Sequence, residues 1–368
     1  MHRMNTQFAI FLFCLFVFSP AFGQTNEELQ KELETVTKKL NDMRHKFDQL
    51  EKSIDDLLWY ERVGDIAHID KVELTGPPLG KDRKVNLGSQ DEHIYKTSPL
   101  RFKAYVFIPL NTDPEKKYPM LVLPHGGVHS NFKSHQYSHI VRELIAQGYA
   151  LIAPEYRGST GYGKRFYEFI DYGGLEINDT KACRDYMVDN YDFVDENRIG
   201  ILGWSHGGLI TLMNLFEFPE GYKVGYAGVP VSDLIFRMGN KTAAYRALYE
   251  VDYHIGESAN DNLEEYKRRS PTWNAHKLQT PLLIHSNTND ADVTSTEVET
   301  LINALKAHNK TFEYEIYDNI PGGHAFDRID LMSAKEFRLK AYRFLAKYLN
   351  PPNEFKNVKQ LQKAGYKF

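Results

Sequence analysis

The sequence predicts an α/β fold in which helices cover both faces of a mostly parallel central sheet. From residue 69 onwards, short apolar runs typical of buried strands alternate with longer segments typical of helices. The chain has 368 residues, of which 42% are hydrophobic, and this is enough for one large core with a small addition. Parallel strands need crossover connections, so the alternation favours a sheet buried between two helical layers.

The predicted elements alternate regularly until residue 233. The expected strands are residues 69–74, 100–109, 119–123, 149–153, 199–202, 224–229, 281–285 and 312–317. The expected helices are residues 134–147, 175–190, 209–218, 296–307 and 333–349. Residues 233–270 then form an aromatic and basic segment. This segment is either a helical insertion that lines a substrate pocket near the active site or a helical excursion on the surface, and both interpretations stay open.

Residues 1–23 are typical of a secretory signal peptide. Arg3 gives a positive start, residues 8–18 are almost entirely aromatic or aliphatic, and residues 21–23 offer small side chains before cleavage at Gln24. The apolar run is too short to cross a bilayer comfortably. We therefore expect a secreted protein of a bacterial periplasm, with no membrane contact beyond the signal peptide.

Residues 24–62 predict an amphipathic, coiled-coil-like helix. Apolar residues recur at alternating spacings of four and three over about four heptads, and the positions between them are mostly polar or charged. These apolar positions are Leu29, Leu33, Val36, Leu40, Met43, Phe47, Leu50, Ile54 and Leu57. The seam either pairs with a partner chain or folds back onto the body of the protein. Its narrow width and charged flanks favour pairing, and we expect a homo-oligomer through residues 29–57.

Charge and motif content argue against several other functions. The formal net charge is −4 without a basic stripe, which argues against nucleic acid as a partner. His135 and His139 have a spacing that can bind zinc, but no third ligand is evident. Signal cleavage leaves Cys183 as the one cysteine, which we expect to be buried packing. The sequence therefore predicts neither a metal nor a cofactor.

Residues 203–208 read Gly-Trp-Ser-His-Gly-Gly between the predicted strand 199–202 and the predicted helix 209–218. A serine in a G-x-S-x-G motif between a strand and a helix forms the nucleophile elbow of α/β-hydrolases. The glycines keep Cβ atoms out of the crowded, strained turn. Ser205 is therefore the predicted nucleophile, and the expected catalytic domain is an α/β-hydrolase fold over residues 63–350, followed by a C-terminal tail, residues 351–368.

A serine hydroxyl is a weak nucleophile that needs a histidine to accept its proton and a carboxylate to orient that histidine. In α/β-hydrolases the chain order is serine, acid, histidine. His324, flanked by glycine after the last predicted strand, is the predicted base. Asp290 and Asp292 compete for the acid. We expect their side chains to lie on opposite sides of the chain, so that only one reaches His324.

Two backbone N–H groups should bind the negative charge that develops during acyl transfer. One is expected from His206, the residue after the nucleophile. The other is expected from Gly126 or Gly127, since residues 124–127 read Pro-His-Gly-Gly after an early strand. Arg157, in an Arg-Gly-Ser-Thr-Gly turn, is either a clamp for a substrate carbonyl or carboxylate or a buried structural arginine.

Together these motifs resemble the catalytic domain of the prolyl oligopeptidase-like serine peptidases. The matching segments are residues 124–127, 156–163, 203–208, 270–271, 281–285 and 323–324, in this order. The resemblance covers residues 95–350 and implies Ser205 as nucleophile and His324 as base. It also implies Asp290 as the acid, because the family places the acid in a D-x-x-V pattern and Val293 lies three residues further on.

Three features differ from that family. The β-propeller that screens substrates in many members has no counterpart before residue 95, Ser286 stands where glycine is usual, and His206 stands where tyrosine is common. The expected function is hydrolysis of short peptides through an acyl-enzyme. The alternatives are a carboxylesterase acting on acylated small molecules or carbohydrates, and a non-catalytic scaffolding protein assembled through its coiled coil. The substrate-binding candidates are Arg157, Tyr162 and Trp204.

Overall fold

The computed structural model describes residues 25–80, 89–325 and 328–366. The expected signal peptide, residues 1–23, lies outside the described residues. The chain divides into two units, residues 1–46 and residues 47–368. The described part of the first unit is almost wholly helical, as the first part of the 38-residue helix α1 (Asn26–Val63). The second unit holds the sheet and the other helices.

The central sheet has eight strands in the order β1-β2-β4-β3-β5-β6-β7-β8. The strands are β1 (Ala67–Gly76), β2 (Leu100–Pro109), β3 (Tyr118–Val122), β4 (Ala150–Glu155), β5 (Val194–Trp204), β6 (Val224–Gly228), β7 (Leu282–Asn287) and β8 (Glu313–Tyr317). Strand β2 pairs antiparallel with β1 and β4, and all other pairs are parallel. The predicted α/β-hydrolase fold with a mostly parallel sheet is confirmed.

Helices connect the strands as the alternation predicts. The remaining helices are α2 (Ser89–Thr97), α3 (Ser134–Ala146), α4 (Lys164–Tyr167), α5 (Glu176–Asn190), α6 (His206–Glu217), α7 (Leu234–Asn240), α8 (Ala243–Glu250), α9 (Leu263–Arg268), α10 (Pro271–Asn274), α11 (Ser295–Ala307), α12 (Met332–Leu349) and α13 (Val358–Gly365). Helices α7, α8 and α9 occupy the segment 233–270, which was expected to be helical.

The core lies on both faces of the sheet because successive strand side chains point to opposite sides. In β3, Met120 and Val122 join an apolar cluster with side chains of α5, α6 and α11. Leu121 and the following Leu123 join a second cluster with side chains of α1, α3, α12 and α13. Burying each such side chain contributes about 1.5–3 kcal/mol. Cys183 lies in the first cluster, fully buried, as expected.

Two outer elements were not fully anticipated. The expected C-terminal tail contains helix α13, whose Leu361 is fully buried in the second cluster. Helix α2 lies in a stretch that was expected to be a polar loop, and its sequence carries no apolar periodicity that would have predicted it. Among the described residues, no helix combines the length and apolar character needed to cross a bilayer.

Helix α1 has two different faces. Within the second unit, Trp59 and Val63 are fully buried against the body, and Lys52 and Asp55 are buried on the same side. The predicted apolar seam, defined above as residues 29–57, stays exposed at every position, with 41% to 70% of each side chain accessible. The helix therefore binds the body through a face that the heptad pattern does not mark. Within the second unit, the seam positions Phe47, Leu50, Ile54 and Leu57 are exposed and do not pack on the body.

Candidate active site

Ser205 lies at the sharp turn between β5, which ends at Trp204, and α6, which begins at His206. Its backbone has φ +57° and ψ −125°, a conformation that L-residues rarely adopt and that costs free energy. The turn is fixed by hydrogen bonds on both sides: Ser205 N donates to Gly228 O at 2.9 Å, and Val231 N donates to Ser205 O at 3.2 Å. The strain is thus imposed by the neighbouring strand β6 and the segment after it.

The glycines of the motif are required by close backbone approach. A Cβ atom on Gly203 would lie 2.3 Å from Gly207 O, and one on Gly207 would lie 2.3 Å from Pro124 O. Both distances are far below van der Waals contact with backbone atoms that cannot move aside. The elbow geometry that the sequence predicts is therefore present, with the serine at its tip.

His324 and Asp290 are brought together by the loops that follow β8 and β7. The Nδ1 atom of His324 lies 2.7 Å from Oδ2 of Asp290, within charge-assisted hydrogen-bond distance. The second carboxylate oxygen of Asp290 accepts hydrogen bonds from the N–H groups of Asp292 and Val293, each at 2.9 Å. The carboxylate is buried and has partners on both oxygens, so it can hold the imidazole in one orientation.

Asp292 also lies beside the imidazole, which corrects one expectation. Its Oδ2 is 3.6 Å from Nε2 of His324, while its Oδ1 is 3.0 Å from Nη2 of Arg237. The sequence led us to expect that only one aspartate reaches His324. The turn closed by Asp290 on the N–H groups of Asp292 and Val293 folds the loop back and brings both carboxylates to the ring.

The two aspartates differ in environment. The side chain of Asp292 is 52% exposed, whereas that of Asp290 is fully buried. Partial burial raises the pKa of Asp292, but the positive charge of Arg237, followed by His324 and Lys241, outweighs it and holds the pKa below its usual value. The direct hydrogen bond and the burial favour Asp290 as the orienting acid, in agreement with the pattern argument.

The structure does not join all three predicted catalytic residues. No hydrogen bond connects the Ser205 hydroxyl with His324 in the part of the chain that is described. The transfer of a proton between them stays a prediction.

The loop after β3 lies against the nucleophile. A Cβ atom on Gly126 would be 3.6 Å from Cβ of Ser205 and 3.2 Å from the carbonyl oxygen of Trp204. The N–H of Gly126 donates to the hydroxyl of Tyr137 at 3.0 Å. Because the N–H of Gly126 already donates to Tyr137, it is not available to bind an oxyanion in this geometry, contrary to its predicted role. Gly127 and His206, the first residue of α6, stay the predicted donors.

A buried aromatic pair supports this loop from behind. The hydroxyl of Tyr156 lies 2.9 Å from the carbonyl oxygen of His125 and 3.0 Å from that of Gly127. The rings of Tyr156 and His125 stack with their centroids 4.2 Å apart. Burial lowers the pKa of His125 to about 3, so its imidazole is neutral at physiological pH. The loop is thus fixed by Tyr156 and a neutral histidine.

The substrate-binding candidates lie in different environments. Arg157 is fully buried, and its guanidinium binds both oxygens of Asp179 at 2.8 Å and the carbonyl oxygen of Pro77 at 2.8 Å. The burial and the ion pair through Nε and Nη2 favour the structural interpretation of Arg157 over the substrate clamp. Tyr162 has a buried hydroxyl, and its ring meets that of Phe166 at 5.4 Å.

Trp204, the third candidate, is also buried. It packs on the ring of Tyr137 at 5.1 Å, and its Nε1 faces Gly126, at 3.8 Å from the Cβ position there. It therefore belongs to the wall of the loop beside Ser205 and presents little surface to a ligand.

Sequence reasoning missed a second wall of the site, next to His206. Tyr172 stacks on the His206 imidazole at 4.9 Å and an interplanar angle of 9°, and Glu176 Oε1 lies 3.5 Å from Nε2 of His206. Burial, followed by the charge of Asp171, raises the pKa of Glu176 to about 8. Tyr249, from the insertion, packs on Tyr172 at 4.7 Å. The abundance of tyrosines in the insertion was the available signal for this wall.

A cavity of about 1020 Å³ lies behind this wall. It is lined by segments around residues 171–178, 213–218, 252–257 and 262–269. The insertion thus lines a cavity, but Ser205, Asp290 and His324 are not among the lining residues, so the expectation that it lines the substrate pocket stays a prediction. Within the described residues, no group of three or more histidine, cysteine or carboxylate side chains is arranged to hold a metal ion.

Comparisons with known proteins agree with the geometry. The model of the prolyl oligopeptidase family matches residues 135–352, which is more than half of the chain. The uncharacterized peptidase YuxL of Bacillus subtilis strain 168 is 28% identical over 253 residues, covering 65% of this chain and 38% of that protein. Acylamino-acid-releasing enzyme of Rattus norvegicus is 26% identical over 248 residues, covering 66% of this chain and 33% of the enzyme. Mouse dipeptidyl peptidase 8 is 32% identical over 173 residues, covering 44% of this chain and 19% of that protein.

Solved structures show the same fold. The acylaminoacyl peptidase of Pyrococcus horikoshii superposes with a TM-score of 0.62 at 19% identity, over 80% of this chain and 44% of its own. Dipeptidyl peptidase 4 of Porphyromonas gingivalis superposes with a TM-score of 0.58 at 24% identity, over 77% of this chain and 36% of its own. The chain thus spans less than half the length of each of these relatives.

Proposed function

Because the chain belongs to the prolyl oligopeptidase family of serine peptidases, we propose that it hydrolyses amide bonds of short peptides through a triad of Ser205, Asp290 and His324. The observation that carries this proposal is the 2.7 Å contact between Nδ1 of His324 and the buried carboxylate of Asp290. A carboxylate that accepts from Nδ1–H leaves Nε2 as the proton acceptor of the imidazole. The strained turn at Ser205 is the second support.

The proposed reaction has two stages. Oγ of Ser205 bonds to the carbonyl carbon of the substrate while Nε2 of His324 takes the hydroxyl proton. His324 then gives that proton to the leaving amine as the C–N bond breaks, which leaves an ester on Ser205. Water, losing its proton to His324, next attacks this ester, and the carboxylic acid product leaves as Ser205 recovers its proton. The N–H groups of Gly127 and His206 would bind the oxyanion in both stages.

The names of the relatives support small substrates. Acylamino-acid-releasing enzyme and dipeptidyl peptidase refer to the release of an acylamino acid and of a two-residue unit. Tyr172 and Tyr249 are buried beside His206, so they support this predicted oxyanion donor and present little surface to a substrate. We therefore propose small substrates on the names of the relatives alone.

A substrate panel tests the proposal. Purified protein is assayed on dipeptidyl and aminoacyl amides and on p-nitrophenyl and feruloyl esters, and it is labelled with a fluorophosphonate. We expect amide turnover, and labelling that is lost in Ser205→Ala, with most turnover lost in Ser205→Ala and His324→Ala. Ester turnover without amide turnover would make the protein a carboxylesterase. A wild-type protein that neither turns over nor takes the label would favour the scaffolding interpretation.

We also propose that the exposed seam of α1 pairs with a second copy of this chain. Nine apolar side chains on one stripe of a single helix stay 41% to 70% exposed, and a repeat of this kind is buried in coiled coils. Light scattering at micromolar concentration should give the mass of an oligomer, and Leu40→Glu should reduce it to that of a monomer. Lys38→Glu, on the opposite face of the same helical turn, is the control and should change nothing. A monomeric wild-type protein would contradict pairing.

Export is proposed on the pattern of residues 1–23 alone. N-terminal sequencing of the protein purified from the cells that make it should begin at Gln24. A protein that begins at Met1 would contradict this.

A further inference from the structure

Lys52, on the body-facing side of α1, has a buried ammonium group. Its side chain is 3% exposed, and Nζ lies 2.7 Å from Oε1 of Glu155, 3.2 Å from the carbonyl oxygen of Phe132 and 3.3 Å from Oδ1 of Asn131. A charge at this depth is tolerated only when it is paired and hydrogen-bonded. Helix α1 therefore inserts a cation into the segment that follows the Pro-His-Gly-Gly motif.

Glu155 connects this cation to the loop beside the nucleophile. It is the last residue of β4 and fully buried, and its Oε1 also accepts a hydrogen bond from Phe132 N at 3.2 Å. Its other oxygen, Oε2, has no hydrogen-bond partner among the described residues and lies 3.8 Å from Nε2 of His125. Burial raises the pKa of Glu155, and the charge of Lys52, followed by that of Lys71, opposes this rise, so Lys52 favours the charged form of the carboxylate behind His125.

The next turn of α1 fixes the far end of the same segment. Asp55 accepts hydrogen bonds from Ser134 N at 2.9 Å and from Ser134 Oγ at 2.6 Å, at the first residue of α3. Asn131, held by Lys52, donates to Thr160 Oγ1 at 2.8 Å. Two adjacent turns of one helix therefore hold the chain from residue 131 to residue 134.

We propose that Lys52 is a positioning residue for the oxyanion loop, residues 125–127, and acts through Glu155 and the 131–134 segment. This inference rests on the proposed function, because the loop matters to catalysis only if Ser205 is the nucleophile. Lys52 itself touches neither substrate nor nucleophile. It holds the backbone of the loop next to the nucleophile. A Cβ atom placed on Gly126 of this loop would be 3.6 Å from Cβ of Ser205. Small displacements of such a loop lower the rate of acyl transfer strongly.

Lys52→Met removes the cation and keeps the apolar stem. Lys71→Met is the comparison variant, because Lys71 binds Asp56 of the same helix at 2.6 Å and lies over the same Tyr105 ring, but has no hydrogen bond to Glu155 or to the loop and acts on Glu155 more weakly than Lys52 does. Hydrogen–deuterium exchange measured by mass spectrometry on the full chain reports the order of the backbone over residues 125–134. We expect faster exchange there in Lys52→Met, and wild-type exchange there in Lys71→Met.

The kinetic arm counts active sites by titration with a fluorophosphonate. In Lys52→Met we expect kcat per titrated site to fall about tenfold or more with KM within about twofold, because the lost interaction acts in the transition state. Lys52→Met with Glu155→Gln should recover most of both readouts, since the amide keeps the bond from Phe132 N and carries no unpaired charge.

Two results would overturn the inference. One is unchanged exchange over residues 125–134 in Lys52→Met. The other is an increase in exchange spread evenly over the sheet with kcat per titrated site unchanged, which would make Lys52 a purely structural residue. If wild-type Ser205 takes no label, the proposed function fails, while the exchange experiment still decides whether Lys52 orders the loop.

Discussion

The paired substitutions Asp290→Asn and Asp292→Asn test the assignment of the acid most directly. Asparagine at 290 can still accept from the N–H groups of Asp292 and Val293, so the loop should keep its shape. Its NH₂ group, however, would face Nδ1 of His324 in place of the carboxylate oxygen at 2.7 Å. Nδ1 must then accept, so Nε2 carries the proton and cannot take one from Ser205.

The expected losses of kcat in the two variants differ by orders of magnitude. Loss of the correct tautomer in a serine triad lowers kcat by about 10⁴-fold, or roughly 5.5 kcal/mol of transition-state stabilisation. For Asp292, the distance of 3.6 Å to Nε2 corresponds to about 1 kcal/mol in a water-like dielectric, and its side chain is 52% exposed, so solvent screens it further. We expect Asp292→Asn to lower kcat less than about tenfold.

The assay is steady-state hydrolysis of the best amide of the panel, with active sites counted and thermal unfolding recorded for each variant. Both variants should unfold within a few degrees of the wild type, so that the kinetic difference reports chemistry. A larger loss in Asp292→Asn than in Asp290→Asn would refute the assignment. A loss below tenfold in Asp290→Asn would refute the need for a carboxylate at Nδ1.

Further predictions concern buried charges. Arg157→Met leaves Asp179 as an unpaired buried carboxylate and should lower the free energy of unfolding by about 3–5 kcal/mol, measured by urea denaturation, with KM of the folded protein unchanged. A raised KM at unchanged stability would instead assign Arg157 to substrate binding. Burial lowers the pKa of His285 to about 3, below the value of about 6.5 in an unfolded chain, so the unfolded state binds the proton first and stability falls as the pH drops from 6.5 towards 3. His285→Gln should make this fall shallower by at most about 1.4 kcal/mol per pH unit, and identical slopes for the two proteins would contradict the shift.

Local signals predicted the fold and the candidate nucleophile. The apolar strand runs and the glycines around Ser205 act over a few residues, and each has a direct steric or burial reason to appear in the sequence. The strands lie close to their expected positions. The largest difference is in β5, which begins at Val194 and not at residue 199. His324 and Asp290, in the loops after β8 and β7, lie within hydrogen-bond distance of each other, and their catalytic roles stay predictions.

Features that depend on three-dimensional closure were not predictable in this way. The turn that brings Asp292 to His324 is fixed by two backbone hydrogen bonds of Asp290, which spacing alone does not reveal. An arginine in a glycine-containing turn is compatible with either a ligand or an ion pair, and the sequence does not reveal that Arg157 pairs with Asp179. In the sequence, Lys52 and Asp55 are charged residues beside the heptad seam, as expected for the solvated flank of a coiled coil. Their partners Phe132 and Ser134 lie about 80 residues further along the chain, so the sequence does not reveal these contacts.

The burial of Trp59 shows what would happen if helix α1 were removed. Its indole is fully buried, stacks on Phe132 at 5.2 Å and lies 5.0 Å from the ring of Phe107. A shortened chain that starts after Val63 would expose the rings of Phe107 and Phe132 to solvent. It would also leave the carboxylate of Glu155 without the ammonium group of Lys52. Trimming the amino terminus to obtain a minimal hydrolase is therefore expected to yield a poorly soluble fragment, and any recombinant version has to keep the helix from Lys52 onwards.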